Sequence, residues 1–400
     1  MPHQTMPAEA RRSDLDWIRV AAFALLILYH VGMLYVSWGF HVKSIHESRA
    51  LETLMIALNP WRLSILFLVS GAATRFMLDK TSPGPLAGRR SWRLLLPLAF
   101  GMAIVVPPQS YAEVVEKLGF AGSYGTFWFG HYLAFDQSFC RIENGRQACL
   151  ILPTWNHLWF VVYLWAYTMV LLAVAALAPA TLTAVSRKAD RLSGLALLVG
   201  PALALAALRA FVFPRFPVTH ALVDDLYAHA VYGSAFLFGF LVARSSSFAE
   251  ATERLRWPAL ALALTAYLSL VWLRALPPGA SLRQMLPLAY GLDQWCFILA
   301  ILGFARRWLK HRDGPLLRYA AGAVFCWYIV HQTIIVVVAH WLKPLALPAA
   351  AEAAVVIAAT IAGCYAAYET ARRIPWLRPF LGIAPEKGRR TELTLRPSPR

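Results

Sequence analysis

A histidine sits deep in the apolar run at residues 17–38, within Leu15-Asp16-Trp17-Ile18-Arg19-Val20 and the stretch up to Tyr29-His30. It follows Arg19 by eleven positions. At about 100° per residue, eleven steps return to within ~20° of the starting face, so Arg19 and His30 share one helix stripe about 16 Å apart along the axis, with Asp16 ~40° off it. An imidazole can act as base or as nucleophile near neutral pH without a metal. An ionisable group at membrane depth with aligned partners is a functional-site candidate. The same ring could instead snorkel to the interface or bond within a helix bundle.

Three further groups could carry chemistry. Gly88-Arg89-Arg90-Ser91-Trp92-Arg93 concentrates three guanidinium groups, which bind phosphate oxygens bidentately; the positive-inside tendency would also place arginines there. Phe325-Cys326-Trp327-Tyr328-Ile329-Val330-His331-Gln332 puts His331 near the middle of a late apolar run. Thr154-Trp155-Asn156-His157-Leu158-Trp159-Phe160 stands at the start of another. A bundle histidine or an interfacial aromatic belt would explain either of the last two alone. No Cys/His spacing has the form of a zinc site.

The elements that must position these residues follow from composition. The chain has 400 residues, 59 % hydrophobic and 15 % charged, with a mean hydropathy of +0.53. That fits an all-α, polytopic membrane helix bundle of about ten transmembrane helices, each needing ~20 apolar residues. The runs lie at 17–38, 61–78, 94–110, 155–178, 194–213, 227–243, 258–275, 288–305, 321–342 and 351–370. One bundle domain over 17–370 is expected, between an N-terminus at 1–16 and a basic tail at 371–400. The first run lacks a small-residue cleavage site and reads as a signal-anchor helix. No internal repeat of the inverted-repeat transporter kind is visible.

The net charge of +17 invites a nucleic-acid reading, but its distribution argues for membrane topology. Of the 38 Lys and Arg, 25 fall in 1–16 and the alternate connections that share its side, eight in the other connections, and five within the runs. The rich side should be cytoplasmic, with both termini there and the tail against anionic lipid. Two external segments stand out. Residues 41–60 carry Leu51, Leu54, Met55 and Leu58 at helical spacing, suiting a surface helix. Residues 106–154 form a long aromatic-rich loop, a carbohydrate-stacking surface or an interfacial belt. Asn144-Gly145 is a hairpin turn signal between Cys140 and Cys149, which could therefore bond to each other outside.

Taken together, these pieces resemble the membrane acyltransferase 3 family, and within it the glucan biosynthesis protein C-like branch held to succinylate periplasmic glucans. The resemblance rests on Leu15-Asp16-Trp17-Ile18-Arg19 with His30 beyond it, Phe67-Leu68-Val69-Ser70-Gly71, the Arg89/Arg90/Arg93 cluster and Tyr328-Ile329-Val330-His331-Gln332. Many members carry a glutamate after the tryptophan of the Trp155 motif. Its absence here is similar to the glucan branch, and Cys326 stands where proline is frequent. The resemblance implies an O-acyltransferase of a bacterial inner membrane. It would move succinyl or acetyl from cytoplasmic acyl-CoA, a co-substrate rather than a bound cofactor, to an extracytoplasmic carbohydrate such as a periplasmic glucan. His30 would be catalytic, oriented by Asp16 and Arg19 or with those two holding the donor. Arg89, Arg90 and Arg93 would bind the donor phosphates, and Ser70, Gly71 and His331 would line the path, with Trp155 and His157 at its outer mouth. Lipids are the other expected partner, and nucleic acid is not one. A secondary transporter or flippase, or a non-catalytic member of a polysaccharide synthesis complex, would also bury a few charges.

Overall fold

A computed structural model describes residues 12–143 and 146–384. The helices are α1 (Ser13–Gly32), α2 (Arg49–Leu58), α3 (Arg62–Leu78), α4 (Pro83–Phe100), α5 (Pro107–Leu118), the one-turn α6 (Tyr124–Phe127) and α7 (Trp159–Leu177). Then come α8 (Pro179–Ala189), α9 (Gly194–Ala207), the short α10 (Leu226–Ala228), α11 (Ser234–Val242), α12 (Ser246–Ala275), α13 (Leu286–Leu309), α14 (Pro315–Leu342) and α15 (Ala349–Arg373). Strands β1 (Cys140–Glu143) and β2 (Arg146–Cys149) pair antiparallel, with Cys140 opposite Cys149. Among the described residues nine helices are long and apolar enough to cross a membrane. The chain is thus an all-α multi-pass membrane protein. The run expected at 227–243 is the exception: its helix, Leu226–Val242, is shorter than the other nine and contains a π turn at His229–Gly233.

Local chemistry explains the ends. Asp14 and Asp16 occupy the first turn of α1, where the helix dipole favours acids. Pro83 opens α4 and Pro107 opens α5, positions where a missing N–H leaves no bond unmade. The arginine cluster therefore lies on a helix and not in a connection. Residues 107–118, expected as external loop, are helical and continue the α4 axis through a π turn at Gly101–Val105. The pair Pro107-Pro108 looks like a break, but both prolines fall in the first turn.

Helices approach closely where glycine removes side-chain bulk. A Cβ on Gly71 would lie 1.8 Å from the Phe236 carbonyl oxygen, and one on Gly239 would lie 1.9 Å from that of Leu68, so α3 and α11 touch backbone to backbone. Gly291 brings α13 onto α9 in the same way, 2.4 Å from the Ala202 carbonyl. Two large apolar cores result, one around Phe67, Phe236 and Tyr163, the other around Ile65, Leu197 and Leu299. The amphipathic segment at 41–60 forms α2, which buries Met55 while Leu54 stays exposed. Cys140 and Cys149 form a disulfide across the two strands; the Asn144-Gly145 turn lies outside the described residues, as does most of the basic tail.

Candidate active site

The geometry that matters begins with two helices running parallel. Arg19 on α1 donates to Asp16 at 3.1 Å and to the Ala321 carbonyl on α14 at 3.0 Å. Three turns further along both helices, His30 Nδ1 meets His331 Nε2 at 2.9 Å. The two ties are eleven residues apart on α1 and ten apart on α14, so they hold one register. Asp16 and Arg19 were expected to orient His30 or to hold the donor. Helix rise separates them from it by about 16 Å, and Arg19 and His30 each contact α14 instead, at Ala321 and at His331.

Proton positions on the two rings follow from a backbone oxygen. His331 Nδ1 lies 2.8 Å from the Tyr328 carbonyl, which can only accept, so Nδ1 carries the hydrogen. In the neutral ring Nε2 is then the acceptor, and His30 Nδ1–H donates to it. That leaves His30 Nε2 with a free lone pair. His331 is fully buried, whereas His30 lines the main cavity. The His30 ring is held between His331, at 5.1 Å and 26°, and Phe40, at 6.2 Å and 16°. Phe23 meets His331 edge-on at 5.4 Å. The result is an oriented imidazole with one nitrogen engaged and one presented, the arrangement of a general base or nucleophile backed by a second residue.

A polar network packs behind this pair. His157 Nε2 donates to the Ile329 carbonyl at 3.0 Å, its Nδ1 faces Gln109 Nε2 at 3.4 Å, and the Tyr328 hydroxyl donates to the His157 carbonyl. Gln332 Nε2 donates to Gln109 Oε1 at 3.2 Å and to His41 Nε2 at 3.0 Å, and His41 Nδ1 donates to Glu113 at 2.6 Å. Every ring nitrogen of His41 and His157 is therefore occupied. His30 differs from them in that its Nε2 has no hydrogen-bond partner among the described residues.

The cavity in front of His30 measures about 1250 Å³ and opens toward the end of the bundle that carries the disulfide hairpin. Trp155 and His157 line it. Trp155 Nε1 donates to the His220 carbonyl at 3.1 Å, and the His220 ring stacks on Trp159 at 4.2 Å. Burial pushes the His220 imidazole down to about 4, against the opposing pull of Asp225, so it is neutral at pH 7. Ser70 and Gly71 are not on the cavity wall. The Ser70 carbonyl accepts from Thr74 at 2.8 Å, and Gly71 is the contact point of α3 with α11. The sequence reading made them path residues; in the structure Gly71 meets the α11 backbone and neither lines this cavity. His331 likewise backs His30 instead of lining the path.

Arg89, Arg90 and Arg93 lie along α4, with Arg89 and Arg93 exposed and Arg90 partly buried, its Nε without a protein partner. Arg93 is close enough to Arg19 for the two charges to repel. The structure thus groups Arg19 with the arginine cluster, at the opposite end of α1 from His30. Trp165 Nε1 donates to Ser91 Oγ at 3.0 Å and fixes this face of α4 to α7. Among the described residues no three His, Cys, Asp or Glu side chains are arranged to hold a metal ion.

Residues 12–369 match the family model of the acyltransferase domain. The chain belongs to the acyltransferase 3 family. No curated protein and no solved structure in the comparisons matches it. Membership makes it a membrane acyltransferase and sets the transporter reading aside. The sequence reading did not single out His41, Arg62 and Arg209, which line the cavity, or Gln109 in the polar network behind His30. Only the polar character of Gln109 inside an otherwise apolar helix turn, and two arginines within apolar runs, could have signalled them.

Proposed function

We propose that this enzyme transfers a short acyl group from acyl-CoA, entering at the Arg19/Arg90/Arg93 end, to a hydroxyl of a carbohydrate held in the cavity at the hairpin end. The observation that carries this is the bare Nε2 of His30 facing the cavity, three helical turns from the guanidinium cluster. The phosphopantetheine arm is of comparable length to the ~16 Å separation given by helix rise, so a donor anchored by its phosphates can bring its thioester to the imidazole. Arg89, Arg90 and Arg93, with Arg19 beside them, supply the charge for those phosphates.

His30 Nε2 takes the proton of the attacking hydroxyl as its oxygen bonds to the thioester carbon. The C–S bond then breaks and the proton passes to the departing thiolate. His331 stabilises the imidazolium by accepting from Nδ1–H throughout. The aromatic wall around Trp155 and Trp159 suits sugar faces, which fits a periplasmic glucan as acceptor and a bacterial inner membrane as location, with the arginine end and both termini cytoplasmic. Purified full-length protein in lipid nanodiscs, given radiolabelled acyl-CoA and a neutral β-glucan oligosaccharide, should label the oligosaccharide. Labelling of water only, or of nothing, would contradict the proposal.

A further inference from the structure

Past α15, residues 374–383 turn back and enter the bundle again between α4 and α14, through the single turn Pro379–Leu381. The Phe380 ring lies 5.4 Å from that of Phe100 on α4, and Leu381 is buried. Gly382 has a left-handed backbone, φ +65°, and a Cβ there would lie 2.0 Å from the Phe325 ring on α14. Glycine alone seats the segment this deep. Helix rise gives the depth. Phe100 is seven positions past Arg93, about 10 Å further along α4, and Phe325 is four positions past Ala321, about 6 Å along α14. The tip of the segment therefore stands between the arginine end of the bundle and the His30 end.

The large cavity stops short of the arginines: Leu26, His30 and Tyr328 line it, and Arg19, Arg89, Arg90 and Arg93 do not. Phe23, Leu94 and Val324, all buried, belong to the same core as Leu381 and fill the interval. A donor held by the arginines has to displace packed side chains to reach His30 in this conformation. Residues 374–383 are the element least tied to that packing. Their backbone N–H groups bond within the segment and to α15, Ile374 to the Thr370 carbonyl at 3.2 Å and Ile383 to that of Arg378 at 2.9 Å. Arg378 Nε donates to the Arg372 carbonyl at 2.9 Å. Toward α4 and α14 the segment turns apolar side chains, so it can leave without breaking a backbone hydrogen bond of either helix. Such a unit opens at lower cost than the helices around it.

We propose that residues 374–383 are a strap, seen here closed, that blocks the donor's route between α4 and α14 and must swing out before acyl-CoA can bind. It rests on the acyl-transfer reading for its ligand. A closed strap lowers the apparent donor affinity by the fraction of molecules in which it is open.

The test reads strap and donor separately, on full-length protein in lipid nanodiscs. Leu381→Cys places a thiol on the buried tip, and its rate of reaction with a maleimide reports how often the strap is out. Adding Gly382→Ala should speed that reaction roughly tenfold or more, since a left-handed alanine is disfavoured and its methyl group meets Phe325. Acetyl-CoA, which has no free thiol, should speed it too by holding the strap open. In equilibrium binding, Gly382→Ala alone should tighten the apparent acetyl-CoA dissociation constant by roughly threefold or more. Phe100→Cys and Phe380→Cys joined by a short bis-maleimide should weaken binding by at least as much. A chain lacking residues 375–400 is the second open form, and should bind at least as tightly as Gly382→Ala. Binding that is unchanged or weaker in both open forms overturns the strap and leaves the segment as fixed packing or a wall of the donor site. Acetyl-CoA binding that follows the strap, without transfer to any oligosaccharide, sustains the strap and rejects the acyl-transfer reading. Acetyl-CoA that binds no form, the shortened chain included, overturns both.

Discussion

The two ends of α1 carry different chemistry on one rigid rod. Around Arg19, where α1 packs on α14, the side chains are charged and partly exposed. Around His30 they are largely buried and individually oriented, His30 against His331, His157 on the Ile329 carbonyl and Gln332 on Gln109. Flexible charged groups at an edge suit a phosphate-rich donor that must arrive and leave. A fixed imidazole at depth suits a reaction in which one proton moves along one line. On the proposed reading the helix separates donor recognition from chemistry, and the contacts of Arg19 with the Ala321 carbonyl and of His30 with His331 share one α1/α14 register.

That contrast can be broken from the chemical end first. His331→Ala removes the acceptor that fixes His30 as the Nδ1–H tautomer, and should lower kcat roughly 10²-fold with donor KM little changed. His331→Gln, which can still accept through its amide oxygen, should recover part of the loss. A shift in the pH dependence of kcat, absent from a merely structural defect, marks it as a positioning residue. At the recognition end, Arg93→Ala or Arg90→Ala should raise donor KM with kcat nearly unchanged, by an amount corresponding to about 1.5–3 kcal/mol for a lost charge-assisted contact. Should both variants move kcat instead, the division of labour fails.

Two smaller effects sharpen the cavity side. Joint replacement of Cys140 and Cys149 by serine should destabilise the hairpin by roughly 2–3 kcal/mol on loop-closure grounds, seen as faster proteolysis there with the bundle intact. His220 is held neutral by burial, its folded value of about 4 lying below the ordinary histidine range. Its proton uptake therefore favours the unfolded chain as pH falls from about 6.5 toward 4, and stability present above that window is lost within it. The wild type should lose about 2 kcal/mol more than His220→Gln between pH 7 and 4.5. Identical melting profiles for the two would show that the ring is free to protonate in the fold.

What could be read in the sequence was local. The stripe of Asp16, Arg19 and His30 follows from helix periodicity alone, and the apolar runs follow from hydropathy. The pairing of His30 with His331 joins residues 301 apart, and no local pattern reveals which turn of α14 will face α1. Arg62 and Arg209 were visible as charges within apolar runs, yet only folding turns both toward one cavity. Gln109 was hidden because Pro107-Pro108 resembles a loop start, though the two prolines sit at the opening of α5. The close approach of Gly71 to α11 was hidden for a related reason: a glycine beside a serine in a helix looks the same whether it lines a channel or meets another backbone.

The central claim is that His30 Nε2 performs the proton transfer. His30→Gln is the direct measurement, because glutamine keeps the bulk and can still donate to His331 but cannot titrate. At equal expression and equal melting temperature in nanodiscs, acyl transfer should fall by roughly 10²–10⁴ while acyl-CoA binding is unchanged. Near-normal transfer by that variant would contradict the account, leaving His30 a structural member of the α1/α14 contact.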